Sequence, residues 1–255
     1  MDPINAEEDI LIVNLKNGIK KVIFNRPKKK NAISIKMYME ITNILNDSSK
    51  DDSIYMVVLT GTGHFFTSGN DLITLSPTSS YKDLFKIFKN FIDALITFPK
   101  LLIAVVNGPA IGVGTTLLGL CDIVYASEKA YFYIPFTKLG FIAEGCSSYT
   151  FPKIMGPSKA SEMLYFGYKM DAKEAKEYHL VGNIYKNEEE VWKYLNKLSQ
   201  LSTKSIMGIK RLVQKCNKQT LLEINKAEIE ENIEIFESGE TVNRILNFMS
   251  SKNKL

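Results

Sequence analysis

Residues 101–127 read LLIAVVNGPAIGVGTTLLGLCDIVYAS, and the pattern of this segment indicates the fold class. Its first six residues are apolar without interruption, which predicts a strand buried on both faces. A turn containing Gly108, Gly112 and Gly114 follows and leads into an apolar helix. The segment IVYAS then predicts the next strand. A strand, a glycine-bearing turn, a helix and another strand in this order indicate an α/β domain.

The same order of elements recurs toward the N-terminus. Asn17-Gly18 lies between two β-rich runs, and this dipeptide is a strong hairpin signal. Apolar residues then recur at helical spacing from Ser34 to about Lys50. The other elements predicted for the first half are strands at 9–15, 19–25, 55–61 and 130–135, and a helix at 81–98.

The last third of the chain has a different pattern, because helical spacing dominates it. Helices are predicted at about 158–166, 172–179, 188–200, 204–215 and 219–236, with a short helix near the end. We therefore expect one domain whose C-terminal third is a helical packing or assembly surface.

The composition excludes several classes of function. The 255 residues carry 32 basic and 28 acidic side chains, and a net charge of +4 is far from that of a nucleic-acid-binding protein. The two histidines and three cysteines lack metal-ligand spacing. No apolar run reaches the roughly 20 residues that a membrane helix needs. The acidic N-terminus resembles no signal or transit peptide, and the odd, unpaired cysteines favour a reducing compartment.

Glu144 is an unusual carboxylate, because it is the only charged residue in GFIAEGCSSYTFP, residues 140–152. Removing a charge from water costs free energy unless the protein compensates it. The residue is therefore either an ordinary surface carboxylate or a buried group whose basicity is raised for proton transfer.

Three loops have the composition of ligand-binding loops. TSGND at 67–71 offers successive backbone N–H groups that can bind an oxyanion, although an ordinary turn has the same composition. GPAIGVG at 108–114 lets the backbone approach a ligand at a helix start. It matches neither the Walker motif nor the dinucleotide fingerprint. PKKKN at 27–31 is either a solvated turn or a phosphate contact.

Four blocks, in this order, resemble the crotonase (enoyl-CoA hydratase/isomerase) superfamily across nearly the whole chain. They are NRPKKKNAIS, FFTSGNDL, NGPAIGVGTTLLGLCDIVYASEKAYFYIP and LGFIAEGCSSYTFPKIMG. Several ordered blocks at compatible spacing are more specific than any one of them alone. Within the superfamily, RPKKKNAI, SGNDL and EGCSSYTFPKIM look most like the peroxisomal Δ3,Δ2-enoyl-CoA isomerases.

The resemblance implies an α/β fold of a particular kind, a ClpP-like spiral of β-β-α turns that forms two nearly perpendicular sheets. The single domain, residues 1–255, would comprise a spiral core at 1–190 and a helical trimerisation region at 191–255. The assembly would be a homotrimer or a hexamer. Animal isomerases often carry an N-terminal acyl-CoA-binding domain, which is not expected here.

The resemblance also implies that one carboxylate carries out all the proton transfer. Hydratases of the family use two glutamates, and the matching positions here are Thr116 and Phe136. Glu144 stands where hydratases have a glycine, which is the isomerase pattern. Ser68 and Val113 would supply the two backbone N–H groups of an oxyanion hole. The implied reaction converts cis- or trans-3-enoyl-CoA into trans-2-enoyl-CoA in the β-oxidation of unsaturated fatty acids.

The family binds coenzyme A thioesters, so coenzyme A is part of the substrate, and no separate cofactor or metal is expected. The adenine and 3′-phosphate would lie on the lysine-rich loop and the pantetheine arm on the SGNDL loop. Phe136, Phe141 and Ile142 would form an apolar wall beside Glu144. The implied substrate-binding residues are Lys29, Lys30, Asn31, Ala32, Ser68, Gly69, Asn70, Asp71, Leu72, Gly112, Phe136 and Phe141.

Two alternatives to the isomerase stay open. One is an enoyl-CoA hydratase, and the other is a non-catalytic acyl-CoA-binding or corepressor module like the crotonase-like domain of chromodomain Y-like proteins. The final residues, Asn253-Lys254-Leu255, vary the S-K-L peroxisomal signal. They favour the peroxisome matrix, with an import receptor as a partner, and leave the mitochondrion or cytosol open. No nucleic-acid partner and no membrane insertion are expected.

Overall fold

The computed structural model describes residues 8–72, 81–198 and 200–252. Its strands are β1 (Ile10–Leu15), β2 (Ile19–Phe24), β3 (Met56–Gly61), β4 (Leu101–Val106), β5 (Ala110–Ile111), β6 (Ile123–Ser127), β7 (Tyr131–Tyr133), β8 (Met170–Asp171) and β9 (Asn183–Tyr185). Its helices are α1 (Ile35–Lys50), α2 (Tyr81–Thr97), α3 (Val113–Thr116), α4 (Phe136–Leu139), α5 (Ser147–Met155), α6 (Pro157–Phe166), α7 (Ala172–Glu177), α8 (Glu188–Leu198), α9 (Thr203–Lys215), α10 (Lys218–Glu237) and α11 (Glu240–Lys252).

The main sheet has the strand order β1-β2-β3-β4-β6-β9. The β1–β2 hairpin is antiparallel, whereas β2, β3, β4, β6 and β9 run parallel to one another. The carboxyl ends of parallel strands meet at one edge of a sheet, and ligands bind there in open α/β folds. The loops after β2, β3 and β4 are the three candidate loops of the sequence, so the topology brings them together.

The main sheet is buried on both faces, which explains its uninterrupted apolar strands. In β3, Val57 and Leu59 belong to a large core that also contains side chains of α1 and α2. Met56 and Val58 point to the other face, where a smaller core includes Val191 of α8. This alternation follows from the two-residue period of a strand.

A second, three-stranded sheet has the order β5-β7-β8. Its strands β5 and β8 have two residues each, so no alternation of apolar and polar residues could reveal them in the sequence. Strand β5 pairs in parallel with β7, and β7 pairs antiparallel with β8. Because β5 directly precedes α3, this sheet fixes the start of the GPAIGVG loop.

The predicted α/β class is confirmed, and the elements predicted with bounds agree with the structure to within one or two residues at their ends. The helix predicted as short near the end is α11, with 13 residues, and the predicted apolar helix after the glycine turn is the four-residue α3 followed by a 3-10 turn. Strand β9 and helix α4 were not predicted. Helix α5 was not predicted, because Pro152 lies inside it and proline removes a helical hydrogen bond. Among the described residues, no helix has the length and apolar character needed to cross a membrane. The tail at Asn253–Leu255 lies outside the described residues.

Candidate active site

The loops after β3 and β4 lie directly against each other. Thr67 and Ala110 form a parallel β-bridge, and the Ile111 N–H donates to the Thr67 carbonyl at 3.0 Å. Gly69 has φ +83°, and a Cβ atom there would lie 2.6 Å from the Ile111 carbonyl oxygen. Only glycine fits this position without displacing a loop. The contact places the backbone around residue 70 beside the start of α3.

Each of these two loops contains a backbone N–H group, close to the contact between the loops, that is free to bind an anion. The N–H of Asn70 and that of Val113, the first residue of α3, have no acceptor within the part of the chain that the structure describes. The prediction for Ser68 is wrong, because its N–H donates to the Lys30 carbonyl at 2.9 Å. The N–H groups of Gly69 and Gly112 are likewise used, by Thr67 Oγ1 at 3.0 Å and the Tyr133 carbonyl at 2.8 Å.

Glu144 is a buried carboxyl group, with 7% of the residue exposed. It accepts a hydrogen bond from the Asn70 side chain, whereas its Oε1 atom has no partner among the described residues. The pKa of Glu144 is raised to about 8, chiefly by burial and in addition by the nearby negative charge of Glu228, while the Asn70 hydrogen bond opposes both effects. The ordinary surface carboxylate is thereby excluded.

Tyr38 fixes the orientation of the Asn70 amide. Its hydroxyl group donates to Asn70 Oδ1, so the amide nitrogen is left to face Glu144. Tyr38 is itself held by ring contacts with Phe88 and Phe91 of α2, with ring centroids 5.4 and 4.9 Å apart. Neither Tyr38 nor the side-chain role of Asn70 was predicted, because the sequence does not show that α1 faces the SGNDL loop.

Glu144, Asn70 and Tyr38 border an apolar cavity between α1, α2 and α10. Phe141 lies in its wall. The other lining residues are Ile33, Ile35, Asp71, Tyr81, Leu84, Phe85, Ile87, Phe88 and Phe236. The carboxyl group of Glu144, whose Oε1 atom has no hydrogen-bond partner in the part of the chain that the structure describes, therefore lies at the border of a mainly apolar cavity.

Phe136 and Ile142 do not line this cavity, so that part of the prediction is wrong. Both border a separate cavity on the other side of the loop. Gly140, at φ +72°, reverses the chain after α4, and the Phe141 N–H bonds back to the Phe136 carbonyl at 2.9 Å. The reversal leaves Phe136 behind the loop and brings Phe141 to the cavity.

Thr116, at one of the two positions where hydratases of the family have a glutamate, lies close to the loop that carries Glu144. Thr116 is fully buried in α3, where its hydroxyl donates to the Val113 carbonyl at 3.4 Å. The loop that carries Glu144 packs on it so closely that a Cβ atom at Gly145 would lie 2.7 Å from Thr116 Oγ1. Thr116 and Phe136 therefore supply no carboxylate to the site.

A lysine-lined groove runs beside the SGNDL loop. The predicted contact residues Lys29, Lys30, Ala32, Ser68, Asn70, Asp71 and Leu72 line it, together with Lys28. Lys138, Phe248 and Met249 also line it and were not predicted, because they come from α4 and α11. Asn70 and Asp71 border both the groove and the apolar cavity, so the two spaces meet at these residues.

Asn31 was predicted to contact coenzyme A through its backbone, but the residue is fully buried, its N–H donates to the Arg26 carbonyl at 2.9 Å and its carbonyl accepts from Thr67 Oγ1 at 2.7 Å. Its side chain accepts from the Arg26 N–H at 2.9 Å and donates to the carbonyls of Thr62 and Phe65 at 2.9 and 2.7 Å. Asp71 pairs with Arg26 at 2.9 Å. Asn31 is therefore a structural residue that joins the lysine-rich loop to the loop after β3.

No group of histidine, cysteine, aspartate or glutamate side chains suited to a metal ion occurs within residues 8–72, 81–198 and 200–252. The chemistry this arrangement offers is proton transfer by one buried carboxyl group. The two free N–H groups could stabilise negative charge developing next to it.

Known proteins resemble the chain along nearly its full length. It is 44% identical to human "Enoyl-CoA delta isomerase 2" over 97% of this chain and 65% of that protein, just under two thirds of its length. It is 43% identical to mouse "Enoyl-CoA delta isomerase 3, peroxisomal", over 97% of this chain and 80% of that one.

A crystal structure of an enoyl-CoA hydratase/isomerase from Pseudoalteromonas atlantica superposes with a TM-score of 0.88, at 32% identity, over 96% of this chain and 98% of that one. The crotonase-type fold that the sequence predicted is thereby confirmed. A sequence profile of the enoyl-CoA hydratase/isomerase family matches residues 14–249. The chain belongs to the enoyl-CoA hydratase/isomerase family.

Proposed function

We propose that the protein isomerises 3-enoyl-CoA thioesters to trans-2-enoyl-CoA. Within the described residues, the observation that carries the proposal is the site of Glu144, a buried carboxyl group that has an unpartnered oxygen and borders an apolar cavity, together with two free backbone N–H groups in the neighbouring loops. The two similar mammalian proteins are named for this isomerisation. The proposed place of the reaction is the β-oxidation of unsaturated fatty acids.

The proposed mechanism begins with ionised Glu144, which removes a proton from C2 of the substrate. The electron pair of the C–H bond forms a C2–C1 double bond, and the thioester carbonyl becomes an oxyanion. The N–H groups of Asn70 and Val113 donate to this oxyanion, which is conjugated with the C3–C4 double bond as a dienolate. Protonated Glu144 then delivers the same proton to C4, and the double bond comes to lie between C2 and C3.

Asn70 has two roles in this proposal. Its backbone N–H stabilises the oxyanion, and its side chain holds one oxygen of Glu144. The other oxygen, Oε1, is left without a partner and is the atom that we assign to the proton transfer. The apolar cavity would receive the acyl chain and exclude water that could compete for the dienolate.

The test is to offer trans-3-hexenoyl-CoA and to follow the absorbance of the conjugated thioester. We expect its formation, and we expect that trans-2-hexenoyl-CoA is not efficiently hydrated to the 3-hydroxy product. Efficient hydration would favour the hydratase alternative, for which the structure offers no second carboxylate at Thr116 or Phe136. Coenzyme A binding without any turnover would favour the non-catalytic module.

The isomerisation rate should depend on pH through Glu144. Only the ionised form can take the proton from C2, so kcat/KM should fall as the pH drops through the pKa of the free enzyme. Because burial raises this pKa to about 8, the acidic limb should lie near pH 8 and not in the ordinary carboxyl range. Steady-state rates across the neutral and alkaline range provide the measurement. A limb near the ordinary value would contradict the assignment.

Removing the charges of the lysine-rich loop should weaken substrate binding without slowing the chemistry. For the double variant Lys29→Ala/Lys30→Ala we expect KM to rise roughly three- to tenfold at nearly unchanged kcat. In this proposal the two lysines contact the coenzyme A phosphate, and ion pairs of such exposed side chains are weak because water screens them. The matched control is Lys129→Ala, an exposed lysine that does not line the groove. An acyl-pantetheine thioester, which lacks the nucleotide and its phosphates, should give the same KM with both variants.

We further propose that the protein assembles as a trimer or as a pair of trimers in the peroxisome matrix. Helix α9 exposes Ile209, Leu212 and Val213, which are 61%, 70% and 66% accessible, and such side chains favour subunit contacts. The mouse relative is named peroxisomal, and the tail at Asn253–Leu255 varies the S-K-L signal. Sedimentation analysis tests the assembly. Imaging of the protein with a free C-terminus tests the import, for which a receptor would be the partner.

A further inference from the structure

Helix α10 holds the chain on both sides of Glu144. On the N-terminal side, the Asn232 side chain accepts from the Ile142 N–H at 3.0 Å and donates to the Ala143 carbonyl at 3.0 Å. On the C-terminal side, Glu228, one turn earlier in α10, accepts from the Cys146 N–H at 2.7 Å. The position of Glu144 is therefore tied to a single helix at residues 142, 143 and 146.

Glu228 also closes the start of helix α5. Its Oε1 atom accepts from the Ser148 N–H at 3.0 Å and from the Ser148 hydroxyl at 2.5 Å. Gly145 and Cys146 both adopt left-handed backbone conformations, with φ of +66° and +60°, and such a conformation is unfavourable for cysteine. The Glu228 hydrogen bonds compensate this strain and keep the turn after Glu144 in one arrangement.

The two buried carboxyl groups have unequal surroundings. Glu228 is 5% exposed, and burial raises its pKa, whereas the three hydrogen bonds that it receives favour its ionised form and oppose this effect. Glu144 receives one hydrogen bond and has an oxygen without a partner among the described residues. Because two adjacent carboxylates repel each other, Glu228 keeps its charge and Glu144 is the group that readily takes up a proton.

The other titratable groups around Glu144 do not replace this effect. Tyr38 of α1 faces it as a neutral phenol, since burial and the charge of Glu144 raise the pKa of Tyr38. The pKa of Cys146, in the same loop, is also raised by burial, so the thiol is neutral. On α2, Asp93 is paired with Lys89 at 2.6 Å and bonded to Asn225. Tyr81 lies on the same cavity wall and donates to Glu237.

We propose that Glu228 is a positioning residue for the reaction. It fixes the turn that aims Glu144, and its buried negative charge favours the proton-accepting step. The inference rests on the proposed function of Glu144, but it concerns a residue on a different helix that does not line the substrate cavity. Through Glu228, helix α10 of the C-terminal helical region would thereby affect the basicity of Glu144.

The test compares two substitutions that separate the effect of the Glu228 charge from the effect of its side-chain length. Glu228→Gln keeps the volume and removes the charge, so the acidic limb of kcat/KM should move down by about one pH unit. Glu228→Asp keeps the charge but is one methylene shorter, so the limb should stay in place. In both variants kcat should fall by roughly 10- to 100-fold at nearly unchanged KM, because Glu144 is displaced while the substrate contacts remain.

The matched control is Glu231→Gln, an exposed glutamate of the same helix, which should change neither kcat nor the acidic limb. Parental kcat and an unmoved limb in Glu228→Gln would overturn the proposal. If Glu228→Gln does not fold, Glu228→Asp and Ser148→Ala carry the test, and parental kcat in both would overturn it. A carboxyl NMR titration of Glu144 gives a readout without turnover, and its pKa should be lower in Glu228→Gln. Should the parent not isomerise 3-enoyl-CoA, the proposed function fails, while this titration still tests Glu228.

Discussion

Replacing Glu144 by glutamine is expected to lower kcat for trans-3-hexenoyl-CoA by about 10²- to 10⁴-fold. Glutamine keeps the size of the side chain but cannot accept a proton from C2 or return one to C4. The described residues offer no second carboxylate in the cavity wall to take over, apart from Asp71, which is paired with Arg26 at 2.9 Å. Single-turnover measurements with saturating substrate would report the chemical step directly.

The variant should be folded and should still bind coenzyme A. Its thermal stability should equal or exceed that of the parent, because a neutral amide removes the cost of a buried carboxylate next to Glu228. Binding of the product thioester should be nearly unchanged, since the groove that carries the lysines is separate from the substitution. Near-normal turnover in such a folded variant would refute Glu144 as the base.

Much of the fold could be predicted from the sequence because its elements have strong local signals. The Asn17-Gly18 turn, the apolar run of β4 and the helical spacing of α1 each appear within a few neighbouring residues. The short strands β5 and β8 are different, because they exist only through pairing with β7. A two-residue strand has no period, so its position depends on tertiary contacts that a local pattern does not contain.

Only part of the candidate site could be predicted, because the rest depends on tertiary contacts. Glu144 was conspicuous as a lone charge, and its burial follows from its apolar neighbours. Whether the N–H of Ser68 is free depends instead on the position of the Lys30 carbonyl, which accepts a hydrogen bond from it. The contribution of Glu228 could not be foreseen, because 84 positions (228 − 144) separate it from Glu144 and no local pattern relates α10 to the loop.

Replacing Gly69 by alanine is expected to reduce kcat by about 10²- to 10³-fold, although residue 69 contributes no group to the reaction. The new Cβ atom would lie 2.6 Å from the Ile111 carbonyl oxygen, so the two loops must move apart. The Asn70 N–H follows one of these loops and the Val113 N–H the other. Both donors to the oxyanion would therefore lose their relative position, whereas the backbone on either side of Glu144, on a third loop, would stay bonded to α10.

The control for Gly69→Ala is Gly63→Ala, in the same connection after β3. Gly63 also has a left-handed backbone, with φ +68°, but the nearest atom to its added Cβ would be Pro27 Cβ at 3.5 Å, an ordinary contact. Both variants should lose about 1–2 kcal/mol of unfolding free energy from the backbone strain. Only Gly69→Ala has the collision, so only it should lose turnover. Equal kcat in the two folded variants would mean that the spacing of the loops does not govern the reaction, and the N–H groups of Asn70 and Val113 would lose their assigned role.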